Sequence, residues 1–322
     1  MKIVFVSQPL STGGAERVVA SLANKFFEMG NQVKIVVVDN GDENVYYTHP
    51  EIEFVHIKKA SNPIIDLIYR ANKMRQFFAE YKPDVIIPFT TQKNVSVLLA
   101  TLFTKHKVIA CERNNPVSDP SDKLLRILRK LLFWTAEGYV FQTKEARNYF
   151  SKRIQRKSCV IPNPIKENII EPWTGAREKK IVVVSRLNPQ KNLDMAIDLM
   201  ASISKTHPDY RLEIYGKSYM GSYTYENKLK KRVSDEKLEK YVLFKGFSSD
   251  VHEAIKDATI FLITSNHEGM SNALMEALAL GLPCISTDDS NGGARALIND
   301  HKNGLLIPVG DSAECIRAVE EL

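Results

Sequence analysis

The chain has 322 residues, and its 44% hydrophobic and 25% charged residues are ordinary values for a globular protein. This composition excludes a disordered chain, a collagen and a long coiled coil, and the length predicts two domains. The formal net charge of +6 divides into +9 for residues 1–165 and −3 for residues 166–322, so the first half is expected to meet an anionic partner: nucleic acid, a phospholipid surface or a polyphosphate.

The cysteines and the N-terminus bear on the cellular compartment. The 4 cysteines are widely spaced and form no CxxC pair, which disfavours a zinc site or a disulfide framework and fits a reducing cytoplasm. The opening MKIVFVSQPLS is expected to form a first strand rather than a signal peptide. No run approaches the ~18 apolar residues that a transmembrane helix needs. The sequence therefore predicts a cytoplasmic protein.

The first half alternates short β-branched runs with segments of helical period. The predicted strands are 2–6, 33–38, 53–57, 84–88, 107–111 and 138–141, and the predicted helices are 15–29, 64–80, 94–103 and 122–135. This alternation is typical of a parallel sheet covered by helices on both faces. The run CVIPNP at 159–164 ends the unit, and the polar segment 166–180 is predicted to be a linker.

The same pattern starts again after the predicted linker. The predicted strands are 181–185, 211–215, 241–244, 259–263, 283–287 and 304–307, and the predicted helices are 192–205, 224–237, 250–256 and 272–280. The sequence therefore predicts two doubly wound α/β domains, 1–164 and 165–322. Ligands of such folds bind outside the carboxyl ends of the strands, and the two domains are expected to face each other across a cleft.

Two glycines, Gly13 and Gly14, stand between the first predicted strand and the first predicted helix. Paired glycines let the backbone approach a ligand, and the amide groups at a helix N-terminus favour an anion. The motif is equally explained as a tight turn between a strand and a helix. It continues as Ala15-Glu16-Arg17 instead of completing the GxGxxG fingerprint, so a NAD-dependent oxidoreductase receives little support.

The segment 122–134, DKLLRILRKLLFW, has the pattern of a basic amphipathic helix. Its aliphatic residues are predicted to lie on one side and its cations on the other: Leu124, Leu125, Ile127, Leu128, Leu131 and Leu132 against Lys123, Arg126, Arg129 and Lys130. Either the apolar side packs on the sheet, or the helix lies on an anionic membrane, which the basic first half favours. Nucleic acid is not expected as a partner, because aromatic residues do not interleave with the basic ones.

Two cations follow a predicted strand of the second half. Arg186 ends the strand, and Lys191 lies five positions later in the loop before a helix. Both are thus expected at the carboxyl edge of the sheet, where an arginine and a lysine can converge on a diphosphate. Taken alone, the pair is more readily explained as ordinary surface cations.

A third group surrounds the start of the helix predicted from about residue 272. Glu268 precedes this helix, and Glu276 lies on it. Ser271 and Asn272 are good N-cap residues, so the free amide groups of this turn are expected to point at a ligand. Carboxylates placed in this way can accept hydrogen bonds from the vicinal hydroxyls of a sugar or ribose. Glu276 lies on a mostly buried helix, so its carboxylate needs a partner.

Taken together, these residues resemble the donor site of the retaining glycosyltransferases of family 4, the glycosyl transferases of group 1. The resemblance rests on Arg186 with Lys191 five residues on, and on Glu268 with Glu276 eight residues on, an E-x7-E motif. It extends over nearly the whole chain, including the double glycine and the IPNP run. The fold that it implies is GT-B: α/β, with two facing Rossmann-like doubly wound domains, the N-terminal one on the acceptor side and the C-terminal one binding the nucleotide sugar.

The resemblance also implies a role for each matching residue. Arg186 and Lys191 would clamp the donor diphosphate and neutralise the leaving group, and Glu268 would contact the transferred sugar. Gly14 would lie near the phosphates from the opposite domain. The other donor contacts would be Lys245, Gly246 and Phe247 at the nucleobase, Gly269, Met270, Ser271 and Asn272 at the sugar and phosphate oxygens, and Glu276 at the ribose hydroxyls. The sequence contains no D-x-D triplet, so no bound metal is expected to be required.

The sequence departs from the family pattern at two places. Many relatives have a histidine after the strand that matches 107–111, whereas this chain has Glu112, Arg113 and Asn114 there. These three residues are expected to contact the transferred sugar or the acceptor, unless the glutamate and the arginine form a structural ion pair. The chain also ends at Leu322, earlier than relatives commonly do, which indicates a short member or a truncated chain.

The sequence thus predicts a retaining hexosyltransferase at the inner face of the membrane. It would move a hexose or N-acetylhexosamine from a nucleotide sugar, most readily a UDP-sugar, to a growing lipid-linked saccharide of the cell surface, such as capsule or O-antigen. Two alternatives remain. One is a nucleotide-sugar epimerase or hydrolase of the same fold, and the other is a non-catalytic peripheral membrane module.

Overall fold

The computed structural model describes the chain except for residues 12, 40–45, 59, 61–62, 167–168, 219–222 and 249. It divides into two compact units, Met1–Pro164 (unit 1) and Ile165–Leu322 (unit 2). Both units are built on parallel strands with helices between them, so the predicted α/β fold class of two Rossmann-like, doubly wound units is confirmed.

Unit 1 is organised around a parallel sheet. Its strands are β1 (Lys2–Ser7), β2 (Gln32–Asp39), β3 (Glu53–Lys58), β4 (Val85–Pro88), β5 (Ile109–Glu112), β6 (Gly138–Phe141) and β7 (Ser158–Val160). They are ordered β3-β2-β1-β4 and β5-β6-β7, and parallel bridges from Ile86 to Val108 and from Phe89 to Cys111 join the two groups. The helices are α1 (Gly14–Glu28), α2 (Pro63–Tyr81), α3 (Thr91–Thr101), α4 (Lys123–Leu132), α5 (Lys144–Asn148) and α6 (Lys152–Arg156).

Unit 2 contains a parallel sheet in the order β10-β9-β8-β11-β12-β13. Its strands are β8 (Glu178–Val184), β9 (Arg211–Tyr215), β10 (Val242–Gly246), β11 (Ala258–Ile263), β12 (Cys284–Asp288) and β13 (Leu305–Pro308). Its helices are α7 (Leu193–Thr206), α8 (Thr224–Asp235), α9 (Val251–Ile255), α10 (Asn272–Ala279) and α11 (Ser312–Glu321). No helix within the described residues combines the length and apolarity that crossing a bilayer requires.

The continuous apolar runs of the strands follow from burial on both faces. Val4 and Val6 of β1 belong to one buried cluster, and the alternate residues Ile3 and Phe5 belong to another. Successive side chains of a strand point to opposite faces of the sheet, so each face of β1 contributes to a core. In unit 2, Val182 is separated from its neighbours Ile181 and Val183 in the same way.

The predicted linker 166–180 is corrected at its C-terminal end. Residues 178–180 form the start of β8, where Glu178 pairs with Ala258 and Lys180 pairs with Arg211. Their polar side chains gave no strand pattern. The ammonium of Lys180 is nevertheless buried because it forms an ion pair of 2.6 Å with Asp257.

Candidate active site

The carboxyl edge of the unit 2 sheet brings together the loops that carry most of the predicted site residues. Tyr215 at the end of β9 is in register with Val184 of β8 on one side and Gly246 of β10 on the other. Ile263 at the end of β11 is in register with Ser286 of β12. Since neighbouring strands lie about 4.8 Å apart, the loops after these strands begin side by side.

Lys191 and Glu268 form the centre of this edge. Lys191 ends a 3-10 turn, Pro189–Lys191, and its ammonium forms an ion pair with Oε1 of Glu268. The hydroxyl of Ser265 donates to the same carboxylate oxygen at 2.8 Å. Burial alone raises the pKa of a carboxyl, but the charge and hydrogen bond of Lys191, the Ser265 hydroxyl and the charge of Arg186 outweigh it and lower the pKa of Glu268. Glu268 is therefore ionised at neutral pH.

Arg186 lies just beyond the end of β8, and its side chain is exposed. Its positive charge acts on the Glu268 carboxylate, so the two predicted cations and the glutamate are neighbours. Lys191 is mostly buried and ion-paired, which is not the arrangement of an ordinary surface cation. Whether Arg186 and Lys191 bind a diphosphate stays a prediction.

The turn that carries Lys191 is joined to the loop after β11 by hydrogen bonds. The hydroxyl of Thr264 donates to the Lys191 carbonyl at 2.8 Å, and the backbone amide of Asn266 donates to the Gln190 carbonyl at 2.8 Å. In return, the side-chain amide of Gln190 donates to the carbonyl of His267 at 2.8 Å. These contacts fix Lys191 relative to Glu268 through the backbone as well as through the ion pair.

The loop after β12 holds the Glu268 backbone from the other side. The carboxylate of Asp289 accepts from the backbone N–H of Glu268 at 2.9 Å, and the side-chain amide of Asn291 donates to the Glu268 carbonyl at 2.9 Å. A side chain at Gly293 would place its Cβ 1.8 Å from the Gly269 carbonyl oxygen, so the two loops touch through backbone. The sequence analysis missed Asp289 and Asn291, although both follow a predicted strand at this sheet edge.

Helix α10 begins directly after Glu268, Gly269 and Met270. Ser271 is its N-cap, and the Ser271 hydroxyl accepts from the backbone N–H of Leu274 at 3.4 Å. Asn272 is the first helical residue. The helix dipole and the backbone N–H groups of the first turn make the N-terminus of a helix suitable for binding an anion. The structure therefore places the predicted 269–272 stretch at the N-terminus of a helix on the site edge.

Glu276 lies one turn into α10, where its side chain is only 16% exposed. Its Oε2 atom lies 3.0 Å from Nε2 of His252, a buried residue of α9. The sequence analysis expected a partner for this carboxylate without identifying it. No spacing rule connects His252 to Glu276, because the two residues lie on different helices.

The predicted nucleobase stretch lies at the ends of β9 and β10. Gly246 has a positive φ of 71° and turns the chain out of β10, and the Phe247 ring beyond it is 53% exposed. The ammonium of Lys217 lies 5.4 Å from the centre of that ring. Lys245 forms an ion pair of 3.6 Å with Glu213, so its cation is already engaged.

In unit 1, Gly13 and Gly14 form the N-terminal boundary of α1, as predicted. Gly14 is exposed, and the buried Glu16 in the first turn accepts a hydrogen bond from the side-chain amide of Gln8. A Cβ on Gly13 would overlap the Glu16 carboxylate, so a larger residue here would have to displace that side chain. A role for Gly14 at a phosphate stays a prediction.

The expectation for Glu112 is corrected by the structure. Its side chain is 1% exposed and offers no surface to a saccharide. It accepts a hydrogen bond from the Thr91 hydroxyl, and its Oε2 atom lies 3.7 Å from the guanidinium of Arg129 on α4. Glu112 therefore has an arginine partner, but that partner is not the adjacent Arg113. Burial raises the pKa of Glu112 to about 7, against the opposing effects of Thr91 and Arg129.

Arg113 and Asn114 lie in the loop after β5 and are partly exposed. The Arg113 guanidinium donates to the side-chain carbonyl of Asn163, which also accepts from Gln142 at 2.8 Å. It also packs over the ring of Phe89, 4.9 Å from the ring centre. Residues that follow β5, β6 and β7 thus converge at the carboxyl edge of unit 1.

The sidedness predicted for 122–134 is wrong for one cation. Arg129 is buried and donates to the carbonyls of Pro116 and Asp119 at 2.7 and 2.8 Å, besides facing Glu112. The aliphatic residues do not share one side of α4, because Leu132 is buried whereas Ile127 and Leu131 are exposed. The exposed apolar residues are Leu124, Ile127, Leu131 and Trp134, at 45%, 56%, 59% and 54% exposure. We call these four residues the α4 stripe.

Two family models match the chain and together span residues 12–322. The model described as Glycosyltransferase Family 4 matches residues 12–168, and the model described as Glycosyl transferases group 1 matches residues 166–322. The boundary between the two matches falls at the boundary between unit 1 and unit 2.

Curated relatives carry glycosyltransferase names. An α-1,4-N-acetyl-D-galactosaminyltransferase of Campylobacter jejuni, whose name gives a PP-undecaprenol-linked saccharide, is 25% identical over 99% of this chain and 88% of its own length. An uncharacterized glycosyltransferase of Methanocaldococcus jannaschii is 24% identical over 73% of this chain, and a Bacillus subtilis relative is 34% identical over 50%. The matches span 64% and 41% of those two proteins.

Solved structures share the fold over the whole chain. HepE of Anabaena, crystallised with UDP-glucose, has a TM-score of 0.80 at 19% identity, and the match covers 100% of this chain and 89% of HepE. The sucrose-phosphate synthase of Thermosynechococcus elongatus has a TM-score of 0.83 at 17% identity, covering 99% of this chain and 88% of that one. At these identities the likeness establishes the fold.

Proposed function

The chain belongs to the glycosyltransferases of group 1 and family 4, and from this premise we propose that it is a retaining hexosyltransferase. It moves a hexose or N-acetylhexosamine from a UDP-sugar to a lipid-linked saccharide of the cell surface. The proposal rests above all on the convergence of Arg186, Lys191 and Glu268 with the N-terminus of α10 at one sheet edge.

Charge complementarity supports a nucleoside diphosphate at this edge. Departure of a nucleoside diphosphate from a sugar places negative charge on the departing phosphate. Arg186 and Lys191 supply cations there, and the N-terminus of α10 supplies the positive end of a helix dipole. Ser265, Asp289 and Asn291 hold the Glu268 loop rigid before any ligand arrives. Such preorganisation lowers the barrier because the groups need not reorient during the reaction.

The transfer step that we propose occurs on one face of the sugar. The bond between the anomeric carbon and the diphosphate oxygen breaks, and its electron pair leaves with the diphosphate. The acceptor hydroxyl oxygen bonds to the anomeric carbon on the same face, and its proton passes to the departing phosphate. Glu268, ionised beside Lys191, contacts the transferred sugar without forming a covalent intermediate.

Glu276 and the residues at the end of β10 would hold the nucleoside. A mostly buried carboxylate with a fixed partner is suited to accept hydrogen bonds from two ribose hydroxyls. The exposed Phe247 ring, with Lys245 and Gly246 before it, offers a flat surface for a base. Uracil is the base that we favour, since the Anabaena HepE structure holds UDP-glucose in a protein of the same fold.

A lipid-linked saccharide is the acceptor class that we favour. The Campylobacter jejuni relative is named for a PP-undecaprenol-linked saccharide and matches 99% of this chain. Arg113 and Asn114, at the carboxyl edge of unit 1, remain the candidate acceptor or sugar contacts. Glu112 is buried below this edge, where it contacts Thr91 and Arg129. Gly14, exposed at the start of α1, remains the candidate phosphate contact of unit 1.

The α4 stripe supports association with an anionic membrane. Its four residues repeat at helical spacing, and Lys123 and Lys130 are exposed on the same helix. An exposed apolar stripe with neighbouring cations is the pattern of an interfacial helix. Each cation near an anionic surface contributes roughly 1 kcal/mol. The protein would thereby work where a lipid-linked acceptor is concentrated.

Thermal unfolding in the presence of UDP-, GDP- and ADP-sugars tests the proposed donor site. Binding to the folded state raises the unfolding temperature by mass action, so one UDP-sugar is expected to stabilise the protein specifically. Glu276→Ala should reduce this stabilisation and abolish the transfer activity, while leaving the unfolding temperature of the free protein within a few degrees. Normal turnover by the variant would contradict the assignment.

The same assay separates the proposal from its alternatives. Consumption of the donor without any acceptor would indicate an epimerase or hydrolase. A protein that binds anionic vesicles but none of the nucleotide sugars would instead be a non-catalytic membrane module.

A further inference from the structure

His252 occupies a position that calls for an apolar side chain. It is 6% exposed and belongs to α9, whose neighbouring residues Val251, Ala254 and Ile255 pack in an apolar cluster. The α10 residues Leu274 and Ala277 belong to the same cluster. An imidazole buried in such a place costs free energy unless its nitrogens find partners.

The partner of the His252 imidazole is the carboxylate of Glu276. The Nε2 atom of His252 lies 3.0 Å from Oε2 of Glu276, close to the ideal hydrogen-bond length. In the tautomer that carries its hydrogen on Nε2, the His252 imidazole donates a hydrogen bond to this carboxylate oxygen. The contact crosses from α9 to α10, so it fixes the Glu276 side chain relative to a second helix.

We propose that His252 is the positioning residue for the Glu276 carboxylate, and that it sets the affinity for the nucleoside rather than the rate of sugar transfer. This inference rests on the proposed role of Glu276 at the ribose. A glutamate side chain has several rotamers, and holding two hydroxyls requires one of them. The hydrogen bond from His252 selects that rotamer before the ligand binds, so less entropy is lost on binding.

The test measures UDP binding by titration calorimetry in variants of the full chain. His252→Leu removes the hydrogen-bond donor and replaces the imidazole with an apolar side chain of similar size. It should weaken UDP binding about tenfold, as expected for loss of a hydrogen bond to a carboxylate. His252→Gln places an amide nitrogen near the position of Nε2 and should restore binding to within about threefold of the original protein. A purely structural role would not distinguish the two variants in this order.

A double-mutant cycle decides whether His252 acts through Glu276. In a Glu276→Ala background, His252→Leu should change UDP affinity by less than about twofold, because the carboxylate that it orients is gone. An unchanged tenfold effect in that background would overturn the proposal. So would normal UDP binding by His252→Leu.

Two further measurements keep the outcomes distinguishable. His301→Leu is the control, because His301 forms an exposed pair of 2.8 Å with Glu321 on α11 and should not affect UDP binding. If Glu276→Ala itself leaves UDP affinity unchanged, the proposed donor site fails. If Glu276→Ala weakens binding and folded His252→Leu does not, only the positioning role fails. Should His252→Leu not fold, comparison of His252→Gln with His252→Ala supplies the same test.

Discussion

The carboxylate of Glu112 shows how burial changes the role of a single residue. At the sequence level, an acidic residue at the end of a strand indicates a contact with a ligand. In the structure the same residue joins β5 to α3 and α4 through Thr91 and Arg129. Its Oε2 atom accepts no hydrogen bond from the described residues. A buried carboxylate with incomplete hydrogen bonding binds a proton more tightly in the folded state than in the unfolded state.

Glu112→Gln should therefore change the pH dependence of stability. Between pH 4.5, the ordinary value for the unfolded chain, and the folded pKa of about 7, the unfolded state releases a proton that the folded state retains. The contribution of Glu112 to the stability of the original protein thus falls as the pH rises through this window, by at most about 3 kcal/mol. The variant lacks this proton, so its stability relative to the original protein should rise from pH 5 to pH 8.

Urea unfolding at the two pH values measures this difference. Glu80→Gln serves as the control because Glu80 lies on the exposed side of α2. It should alter stability by similar amounts at pH 5 and pH 8. A pH-independent difference between Glu112→Gln and the original protein would contradict the proton uptake.

The Lys191–Glu268 pair makes the opposite prediction, since the pKa of Glu268 is lowered. Lys191→Met should destabilise the protein by about 3 kcal/mol at neutral pH, because a mostly buried carboxylate is left without its cation. The stabilisation by the pair is complete above the unfolded pKa and is lost as the pH falls through the lowered folded pKa. The difference between variant and original should therefore shrink in acid.

The exposed pair of Lys179 and Asp209 provides the matched control. Both side chains are more than half exposed, so Lys179→Met should leave urea unfolding unchanged within error. Equal effects of Lys179→Met and Lys191→Met would show that burial is not the reason for the stability of the Lys191 pair.

At the scale of elements, the sequence predicts well what depends on periodicity. The buried strands β1, β2, β8 and β11 and the long helices α1, α2 and α7 lie where the apolar patterns indicate. The short elements α5, α6 and β7 were missed because three to five residues do not complete a helical or strand repeat. The start of β8 was missed because residues 178–180 are polar and depend on distant ion pairs.

The site residues also differ in whether a local sequence pattern could predict their positions. The positions of Arg186, Lys191, Glu268 and the start of α10 follow from strand ends, which local patterns reveal. His252, Asp289 and Asn291 depend on contacts between loops and helices that are remote in sequence. The sidedness of α4 was misjudged because its apolar residues cover more than half of the helix, so the pattern does not say which of them face the core.

The α4 stripe gives a prediction for the membrane. The double substitution Ile127→Ser and Leu131→Ser should weaken binding to phosphatidylglycerol vesicles by about tenfold or more, because two side chains lose apolar area that the membrane would bury. Sedimentation with vesicles at low salt measures the effect. Binding by the original protein should also weaken as salt screens Lys123 and Lys130.

Phe103→Ser is the control for the α4 stripe. Phe103 is 95% exposed beyond the end of α3 and is an apolar surface residue of the same unit outside the stripe. This variant should bind vesicles normally. Equal loss of binding by Phe103→Ser and by the double variant would show that the membrane contacts a different surface.

At the scale of the whole molecule, charge and core are divided between the two units. Unit 1 carries the net charge of +9 and the α4 stripe, whereas unit 2 carries −3 and the proposed donor site. Among the residues that the structure describes, the large buried clusters each belong to one unit: two lie in unit 1 and two in unit 2. Each unit therefore has a core with which it can unfold as a separate cooperative unit.

This division predicts two calorimetric unfolding transitions, of which UDP mainly raises the one that belongs to unit 2. At about a hundredfold excess over its dissociation constant, UDP stabilises the unit that binds it by about 2.7 kcal/mol.

Substitution of two buried leucines shows which transition belongs to which unit. Leu98→Ala in α3 and Leu199→Ala in α7 each remove a side chain at most 1% exposed, at a cost of about 2–5 kcal/mol. Leu199→Ala should lower the transition that UDP raises, and Leu98→Ala should lower the other. A UDP effect confined to the Leu98 transition would contradict the placement of the nucleotide site in unit 2, and one transition shifted by both substitutions would show that the units unfold together.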